Sequence, residues 1–332
     1  MGTSPTMNDV AREAGVALRT VSRYVNGATN IDSELAERIR LAIDTLGYRR
    51  NLAAASIRPG WDSKVLGLII GDLSNPYYSA LTRAIEREAS DRGYLLITAS
   101  SEEDGTRHDK LVDRLVEQRV DGLIIVPPHR PARLWSEVAG TLPPIVFLDR
   151  PVAGIAADAV LSDDAAGAEA AVQALIDAGA RSVAFVGDSL SIHTLEQRMR
   201  GYERALSRNE IEIRDELVFA GAHSESQARV AVGRMLVDTD ADAIFGANNR
   251  ATIGALWAFR DAGRRLPIIG FDDFDLAELM QPEVSVVSQD IEQMGTLAAS
   301  LLIDRLNGIS TNHKDHVLPA TLILRGSEQR VS

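Results

Sequence analysis

The chain has 332 residues, no cysteine and a formal net charge of −12. A chain of this length exceeds what one hydrophobic core usually supports, so we expect two or three domains. The lack of cysteine excludes a disulfide framework and thiolate chemistry. No apolar run resembles a signal peptide or approaches the length of a transmembrane helix, so we expect a cytoplasmic protein that makes no membrane contact.

The charge is unevenly distributed along the chain. Residues 1–60 hold eight arginines against six acids, a formal excess of +2, which leaves −14 for the remainder. An acidic body repels nucleic acid, so any DNA contact should be confined to the first 60 residues and should depend strongly on salt.

Residues 6–26 predict two short helices joined by a tight turn. Thr6, followed three residues later by Asp9, is typical of a helix N-cap. Gly15 ends this helix, and a second one begins near Ala17. Its outer face carries hydrogen-bond donors and no acid, namely Arg19, Ser22, Arg23 and Asn26. This arrangement is typical of a helix-turn-helix that reads the DNA major groove, although surface arginines also occur on helical domains of other kinds.

A third helix is predicted from a cap at Asp32 or Ser33 to Gly47. Its apolar residues fall on one side at helical spacing, namely Leu35, Ile39, Ala42, Ile43 and Leu46. The three helices form a cluster that is too small for much besides binding.

Three segments carry a family resemblance, namely NDVAREAGV, TVSRYVNG from Thr20 to Gly27, and LGY from Leu46 to Tyr48. Through them, residues 6–58 resemble the headpiece of the lactose-repressor (LacI/GalR) family of bacterial transcription regulators. The resemblance implies that Leu18, Arg19 and Arg23 face base edges of double-stranded operator DNA. It places five further side chains near phosphates, namely Thr6, Thr20, Ser22, Asn26 and Asn30.

The chain departs from the family pattern at three positions. Ala17 stands where the family usually has a serine or threonine helix cap, a loss that costs about 1 kcal/mol. Arg50 replaces a proline, and Ile57 replaces the leucine of a hinge helix. In the family, two hinge helices lie in the minor groove of the DNA, and the resemblance implies that Ile57 wedges between base steps.

The segment Asn51–Arg58 can also be interpreted as an unstructured linker. It is rich in alanine, which favours a helix, but eight residues are too few for a stable isolated helix. Pro59 and Gly60 follow directly and indicate a linker boundary. The two interpretations are compatible if the segment folds only on DNA.

From Lys64 onward, apolar strands alternate with amphipathic helices, and the pattern restarts near Ala165. Continuous apolar strands between helices predict parallel sheets covered on both faces. The predicted fold is therefore a small all-α helix-turn-helix headpiece followed by an α/β core of two doubly wound parallel-sheet lobes. The segments SNPYYSAL, VDGLII, LDRP, RSVAFVG, RMRGY and IGFDD make this core resemble the periplasmic-binding-protein fold.

The predicted domains follow from this pattern. Residues 1–50 form the headpiece and 51–62 the hinge helix with its linker. Residues 63–160 with 289–317 form the first effector-binding lobe, and 161–288 with 318–332 form the second.

Polar and aromatic side chains follow the predicted strands, at the edge where ligands of parallel sheets bind. The candidates are Asn75, Tyr77, Tyr78, Asp149, Thr194, Arg198, His223, Asn248, Asn249 and Asp272. Carboxylates and amides bind paired hydroxyls, and rings cover apolar sugar faces, so we expect a sugar-like effector. Each candidate also has a structural interpretation, since the acids and amides can cap helices, the tyrosines can pack against a helix start, and Arg198 can pair with an acid.

The sequence does not favour an enzyme. It lacks G-x-G-x-x-G, a P-loop and a G-x-S-x-G elbow. His313 and His316 have no nearby cysteine or paired acid, so we interpret them as part of a solvated loop and expect no metal, no cofactor and no catalytic residue. A secreted sugar receptor has the same two lobes, but the first 58 residues oppose that interpretation.

We therefore predict a homodimer that reads a pseudopalindromic operator. Effector binding between the lobes should control DNA affinity, most simply in a repressor released by a sugar. Two alternatives are a ligand that tightens DNA binding as a co-repressor, and a cytoplasmic ligand-binding protein without enzymatic activity.

Overall fold

The computed structural model describes residues 5–28, 30–49, 63–309 and 312–330. The chain divides into two compact units, Met1–Ser63 and Lys64–Ser332. The whole of the predicted hinge helix and linker, residues 51–62 with Ile57, lies outside the described residues.

The first unit contains the three predicted helices, α1 (Met7–Ala14), α2 (Leu18–Val25) and α3 (Ser33–Leu46). Thr6 caps α1 through a reciprocal hydrogen-bond pair with Asp9, and α1 ends at Gly15, whose φ of 64° favours glycine. Val10, Val21 and Ile39 are fully buried where the three helices meet. The apolar residues of each helix therefore share one small core, as their spacing predicted.

The second unit contains two six-stranded sheets, each forming one lobe. The strands are β1 (Val65–Ile70), β2 (Leu95–Ser100), β3 (Gly122–Ile125), β4 (Ile145–Leu148), β5 (Asp158–Ser162), β6 (Val183–Val186), β7 (Val218–Phe219), β8 (Ala243–Gly246), β9 (Ile268–Phe271), β10 (Ser285–Gln289), β11 (Asp315–Leu318) and β12 (Ala320–Ile323). The first sheet has the order β11-β5-β4-β3-β1-β2, and the second β12-β10-β9-β8-β6-β7. This confirms the predicted two-lobed α/β class.

Helices connect the strands and cover both faces of each sheet. They are α4 (Pro76–Asp91), α5 (Gly105–Glu117), α6 (Trp135–Val138), α7 (Asp164–Asp177), α8 (His193–Arg208), α9 (Glu225–Asp238), α10 (Asn249–Ala262) and α11 (Ile291–Leu306). All strand pairs of the first sheet are parallel, whereas in the second sheet β12 pairs antiparallel with β10. The two sheets therefore differ at one edge.

The chain passes between the lobes at three places. It leaves the first lobe after β5, returns to it between β10 and α11, and passes from β11 to β12 across Pro319. α11 packs into the core of the first lobe, where Met294, Ala298 and Leu302 are fully buried. Because three separate segments join the lobes, each lobe is built from sequence that is far apart in the chain.

The interpretation of His313 and His316 as a solvated loop is wrong for His316. His316 lies in the edge strand β11, and both histidine side chains point at the buried carboxylate of Asp158, with closest approaches of 3.8 and 3.7 Å. Arg305 of α11 donates to the same carboxylate at 2.6 Å. The cluster of Asp158, Arg305 and His316 therefore joins β5, α11 and β11 and has a structural role.

Candidate functional site

The outward face of α2 is the first candidate site. Arg19 and Arg23 are exposed, no acid occurs in α2, and Leu18 exposes 45% of its surface beside them. Within the described residues, Arg23 donates from Nη2 to the Asn30 carbonyl at 3.2 Å and to its side-chain oxygen. A cationic helix face with an accessible apolar side chain suits the edges of base pairs and their methyl groups.

The remaining headpiece candidates surround this face. Asn26 donates from Nδ2 to Ser22 Oγ at 3.4 Å, while the side chain of Thr6 is engaged in capping α1. Thr20 and Ser22 are half-buried. The residues predicted to contact bases and those predicted to contact phosphates thus lie on α2 and the segments next to it.

α2 begins without a side-chain cap. Ala17 has the extended backbone of an N-cap residue, with φ −67° and ψ 144°, but no side chain accepts a hydrogen bond from the first turn. The Thr20 N–H donates to the Ala17 carbonyl at 2.8 Å. Within the described residues, the N–H groups of Leu18 and Arg19 remain available for water or a phosphate oxygen.

The second candidate site is a cavity of about 90 Å³ in the cleft between the two lobes. Asp149 and Asp272 follow β4 and β9, the equivalent strands of the two sheets, and both are buried. Both have a left-handed backbone, with φ of 69° and 67°. Non-glycine residues rarely adopt this conformation, which here turns the two carboxyl groups toward the cleft.

Arg198 of α8 occupies the centre of the polar network. Its Nε donates to Asp164 Oδ1 at 2.8 Å and its Nη1 to the Ala247 carbonyl at 2.8 Å. Both Nη atoms reach the Asp272 carboxylate at 3.3 Å, and the guanidinium lies 3.7 Å from the centre of the Phe271 ring. Arg198 is thus held in place by contacts with several protein groups.

Burial perturbs two carboxyl groups near Arg198, those of Asp164 and Asp149. Burial raises the pKa of Asp164 to about 7, although the charge of Arg198 opposes the shift. Burial also raises the pKa of Asp149, against the attraction of Arg150 and Arg198. The attraction of Arg150 and Arg198 does not fully offset the cost of burying these two carboxyl groups, so each holds its proton to a higher pH than a free carboxyl group does.

The aromatic wall comes from the first turn of α4. Tyr77 donates its hydroxyl to Asp149 Oδ1 at 3.0 Å, and burial raises its pKa well above the ordinary value. Tyr78 packs edge-on against Tyr77, with ring centres 5.1 Å apart. Gln289 of β10 donates to Asp272 Oδ1 at 2.7 Å. Rings and oriented acceptors therefore line the same small space, as a sugar requires.

Eight of the ten predicted effector-binding side chains line this cavity, namely Asn75, Tyr77, Tyr78, Asp149, Thr194, Arg198, Asn248 and Asp272. Two of them also cap helices, since Asn75 accepts from the Tyr77 amide at 3.1 Å and Asn248 from the Ala251 amide at 2.7 Å. Each of these two amide side chains therefore caps a helix and also lines the cavity.

The other two predicted residues lie beside the cavity. His223 exposes 63% of its side chain and pairs with Asp188, which itself lines the cavity. Asn249 is buried and donates to Asn75 Oδ1 across the cleft at 2.8 Å. Asn249 therefore joins the two lobes, whereas His223 makes its contact within the second lobe.

Several residues of the site were not identified from the sequence. Arg150 and Glu103 form a two-point ion pair at 2.8 and 2.7 Å at one end of the cavity. Arg250 of the second lobe pairs with Asp72 of the first and donates to Ser74 Oγ at 2.9 Å. Both arginines directly follow residues that the sequence analysis had identified, Asp149 and Asn249. Their position next to these residues was the one feature of the sequence that could have indicated them.

Within the described residues, no group of histidines and acids has the arrangement of a metal site. No described helix is long and apolar enough to cross a membrane.

A helix-turn-helix unit with a cationic outer helix, on the same chain as two lobes that flank a polar cavity, is typical of a ligand-responsive DNA-binding protein. Residues 6–51 match the family model of bacterial regulatory proteins of the lacI family, and residues 172–328 match that of a periplasmic binding protein-like domain.

The relatives support the same class. The chain is 32% identical to the HTH-type transcriptional regulator CelR of Thermobifida fusca, over 97% of this chain and 98% of the relative. It is 28% identical to the ribose operon repressor of Haemophilus influenzae, over 97% and 98% of the two chains. A solved complex of the transcriptional regulator CelR with cellobiose superposes with a TM-score of 0.73 and 30% identity, covering 97% of this chain and 99% of that chain. This protein belongs to the lacI family of bacterial regulatory proteins, which confirms the resemblance seen in its headpiece.

Proposed function

We propose that this protein is a transcriptional repressor that binds operator DNA through α2 and releases it when a sugar occupies the cleft between its lobes. The observation that carries the proposal is the preformed network around Arg198, in which carboxylates, amides and tyrosine rings line one small cavity. The ribose operon repressor and the CelR–cellobiose complex support a sugar as the effector class.

The effector is proposed to act through closure of the cleft. In the described structure, the two lobes are bridged by Arg250 with Asp72 and by Asn249 with Asn75. A ligand that bridges Asp149 of one lobe and Asp272 of the other adds contacts that only the closed form provides. Such a difference in affinity between two states is what shifts their populations.

We further propose a homodimer acting on a pseudopalindromic operator in the bacterial cytoplasm. β2 is an edge strand, and its Leu95 and Ile97 expose 63% and 38% of their surfaces. An exposed apolar edge of this kind is a usual site of association between chains. Two headpieces related by two-fold symmetry would then read two half-sites.

The test uses two proteins, the full chain and the body Lys64–Ser332, which is a separate compact unit. Duplexes selected from a random pool by the full chain are used in mobility-shift assays with a panel of pure sugars. We expect the full chain alone to retard the selected duplex, and one sugar to weaken this binding. The body should not bind the duplex but should still gain thermal stability from the same sugar.

Two results would contradict the proposal. If the body alone selects the same duplex, α2 is not the DNA-binding element. If the stabilising sugar tightens DNA binding, the protein is a regulator whose ligand is a co-repressor.

A further inference from the structure

A cavity in the second lobe lies well away from the cleft. It measures about 250 Å³ and lies between the end of α10 and residues 280–282, and we call it the α10 cavity. α10 begins at the cleft, where Arg250 lines the first cavity, and ends beside this one. A helix of 14 residues is about 21 Å long, and no residue lines both cavities. The α10 cavity is therefore separate from the site proposed for the sugar.

The charged side chains that line the α10 cavity are three arginines and no acid, namely Arg260, Arg264 and Arg265. Within the described residues, none of the three forms an ion pair. The nearest acids in the sequence pair elsewhere, Asp261 with Arg229 and Glu278 with Arg325. Three cations without paired acids give this part of an otherwise acidic body a positive potential, which attracts anions.

The three arginines are held by neutral groups or by burial. The Arg260 guanidinium lies 4.0 Å from the centre of the Trp257 ring, and Arg264 Nη1 donates to the Leu236 carbonyl at 3.1 Å. Arg265 is half-buried, and its Nη2 has no hydrogen-bond partner within the described residues. Burial lowers the pKa of Arg265, although a guanidinium stays charged at neutral pH. An anion in the cavity would supply the opposite charge that this partly buried cation lacks.

The rest of the wall is largely apolar. Leu256, Phe259 and Met280 line the cavity, and Phe259 is only 6% exposed. Leu256 packs against two hydrophobic cores of the second lobe, and Met280 packs against one of them. Pro282 also lines this side. An apolar group of a ligand can therefore be buried against a wall that is already part of the folded lobe.

We propose that the α10 cavity binds a small carboxylic acid with an apolar ring or short chain, its carboxylate among the three arginines and its apolar part against Leu256 and Met280. Guanidinium groups bind carboxylates through paired, charge-assisted hydrogen bonds. Sites for drug-sized ligands occupy about 300–1,000 Å³, so this cavity suits a smaller molecule. Acetate and inorganic phosphate match the charge but leave the apolar wall uncovered. The proposal does not depend on the sugar response of the cleft.

The probes are hexanoate and phenylacetate. Each is compared with a neutral analogue of similar shape, hexanol or phenylethanol, and with the small anions acetate and phosphate. Calorimetry on the full chain should show one of the two acids binding about tenfold or more tightly than every comparison compound. High salt should weaken this binding, because it screens the attraction between carboxylate and arginine.

The matched variants each remove one arginine charge. Arg265→Gln should weaken binding of the acid about tenfold or more, and Arg265→Lys, which keeps the charge, should retain part of it. Arg83→Gln is the control, since Arg83 is exposed on α4 in the first lobe and does not line the cavity. Melting temperatures without ligand check that the variants fold. If Arg265→Gln does not fold, Arg260→Gln at an exposed position takes its place.

Three results would overturn the inference. If the neutral analogues bind as tightly as the acids, the arginines do not hold the ligand. If acetate or phosphate binds as tightly as the larger acids, the apolar wall takes no part. If no compound binds, or if Arg83→Gln weakens binding as much as the variant in the cavity, the α10 cavity is not the site. In each case the proposed DNA binding and the sugar response of the cleft are unaffected.

Discussion

Arginines serve opposite purposes in the two parts of this molecule. On α2, Arg19 and Arg23 are exposed, and no acid in that helix offsets their charge. In the cleft, Arg198 is buried and tied to two carboxylates, a carbonyl and an aromatic ring. An exposed cation keeps its hydration and can exchange it for a phosphate or a base, so its binding is sensitive to salt. A buried, fully bonded cation is fixed in place and selects its ligand by geometry.

The largest effect should follow Asp272→Ala, which removes one of the two carboxylates that contact the buried Arg198. The substitution leaves Arg198 and Gln289 without their shared acceptor. Ligand at 100 times its Kd stabilises a protein by about 2.7 kcal/mol, and we expect the variant to lose this gain entirely. Thermal melts with and without the active sugar measure the difference.

Asp275→Ala is the matched control, since Asp275 is exposed three residues further along. It should keep the full thermal shift. If Asp272→Ala also keeps it, Arg198 and its partners are not the ligand site.

The second prediction concerns the exposed arginines of α2. Arg19→Ala and Arg23→Ala should each weaken operator binding by about 1–3 kcal/mol, or roughly five- to 150-fold, and leave sugar binding unchanged. The control Arg40→Ala removes an arginine of α3 that is paired with Glu37 and Asp44. Mobility-shift titrations at several salt concentrations measure both affinity and salt slope. An equal loss in Arg40→Ala would mean that only overall charge matters.

A third effect concerns pH and the buried acids. The pKa of Asp164 is raised to about 7 in the folded protein, above its ordinary value near 3.8. Between these two values the unfolded chain loses this proton before the folded protein does, so this group lowers stability as pH rises from about 4 to about 7. Asn at this position can still accept from Arg198 but does not titrate.

We therefore expect the melting temperature of Asp164→Asn to rise relative to wild type between pH 4.5 and 7.5, and the difference to be constant above pH 8. Expressed as free energy of unfolding, the difference between variant and wild type should change by more than roughly 1.4 kcal/mol over this pH range, the value of one unit of pKa difference. A difference that is independent of pH throughout would show that Asp164 is ionised over the whole range.

The smallest effect should come from Ala17→Ser at the start of α2. A serine hydroxyl can accept from the first-turn amides that Ala17 leaves without a side-chain partner. The gain should be about 1 kcal/mol, or roughly fivefold slower hydrogen exchange of the α2 amides. Ala36→Ser, inside α3, provides no cap and should bring no such protection. Unchanged exchange in Ala17→Ser would mean that the first turn of α2 is already satisfied by water.

Periodicity alone predicted most of the fold. The helices of the headpiece and the strands β1, β3, β4, β6, β8 and β9 have apolar patterns strong enough to read without tertiary context. β5, β10 and β11 were not predicted as strands, because each begins with a polar residue, Asp158, Ser285 or Asp315, and has an apolar run of only two or three residues. Their strand character depends on the neighbours with which they pair.

The candidate site was predicted in part for a related reason. Asp149 and Asp272 follow strongly apolar strands, and the position after such a strand marks the edge where ligands bind. Asp164 and Gln289 gave no comparable signal. Asp164 lies in the first turn of a helix, and its importance comes from Arg198, which is 34 residues away and contacts it only in the folded lobe.

The sequence by itself determined the two-part organisation, the cationic helix and the two-lobed class, because these follow from local charge and from apolar periods of two and 3.6 residues. Only the tertiary structure decided which acids share Arg198 and which side chains bridge the lobes. Those features depend on contacts between segments more than 30 residues apart, such as Arg250 with Asp72 and Arg150 with Glu103. Their distances and burial are set by how the strands and helices pack together.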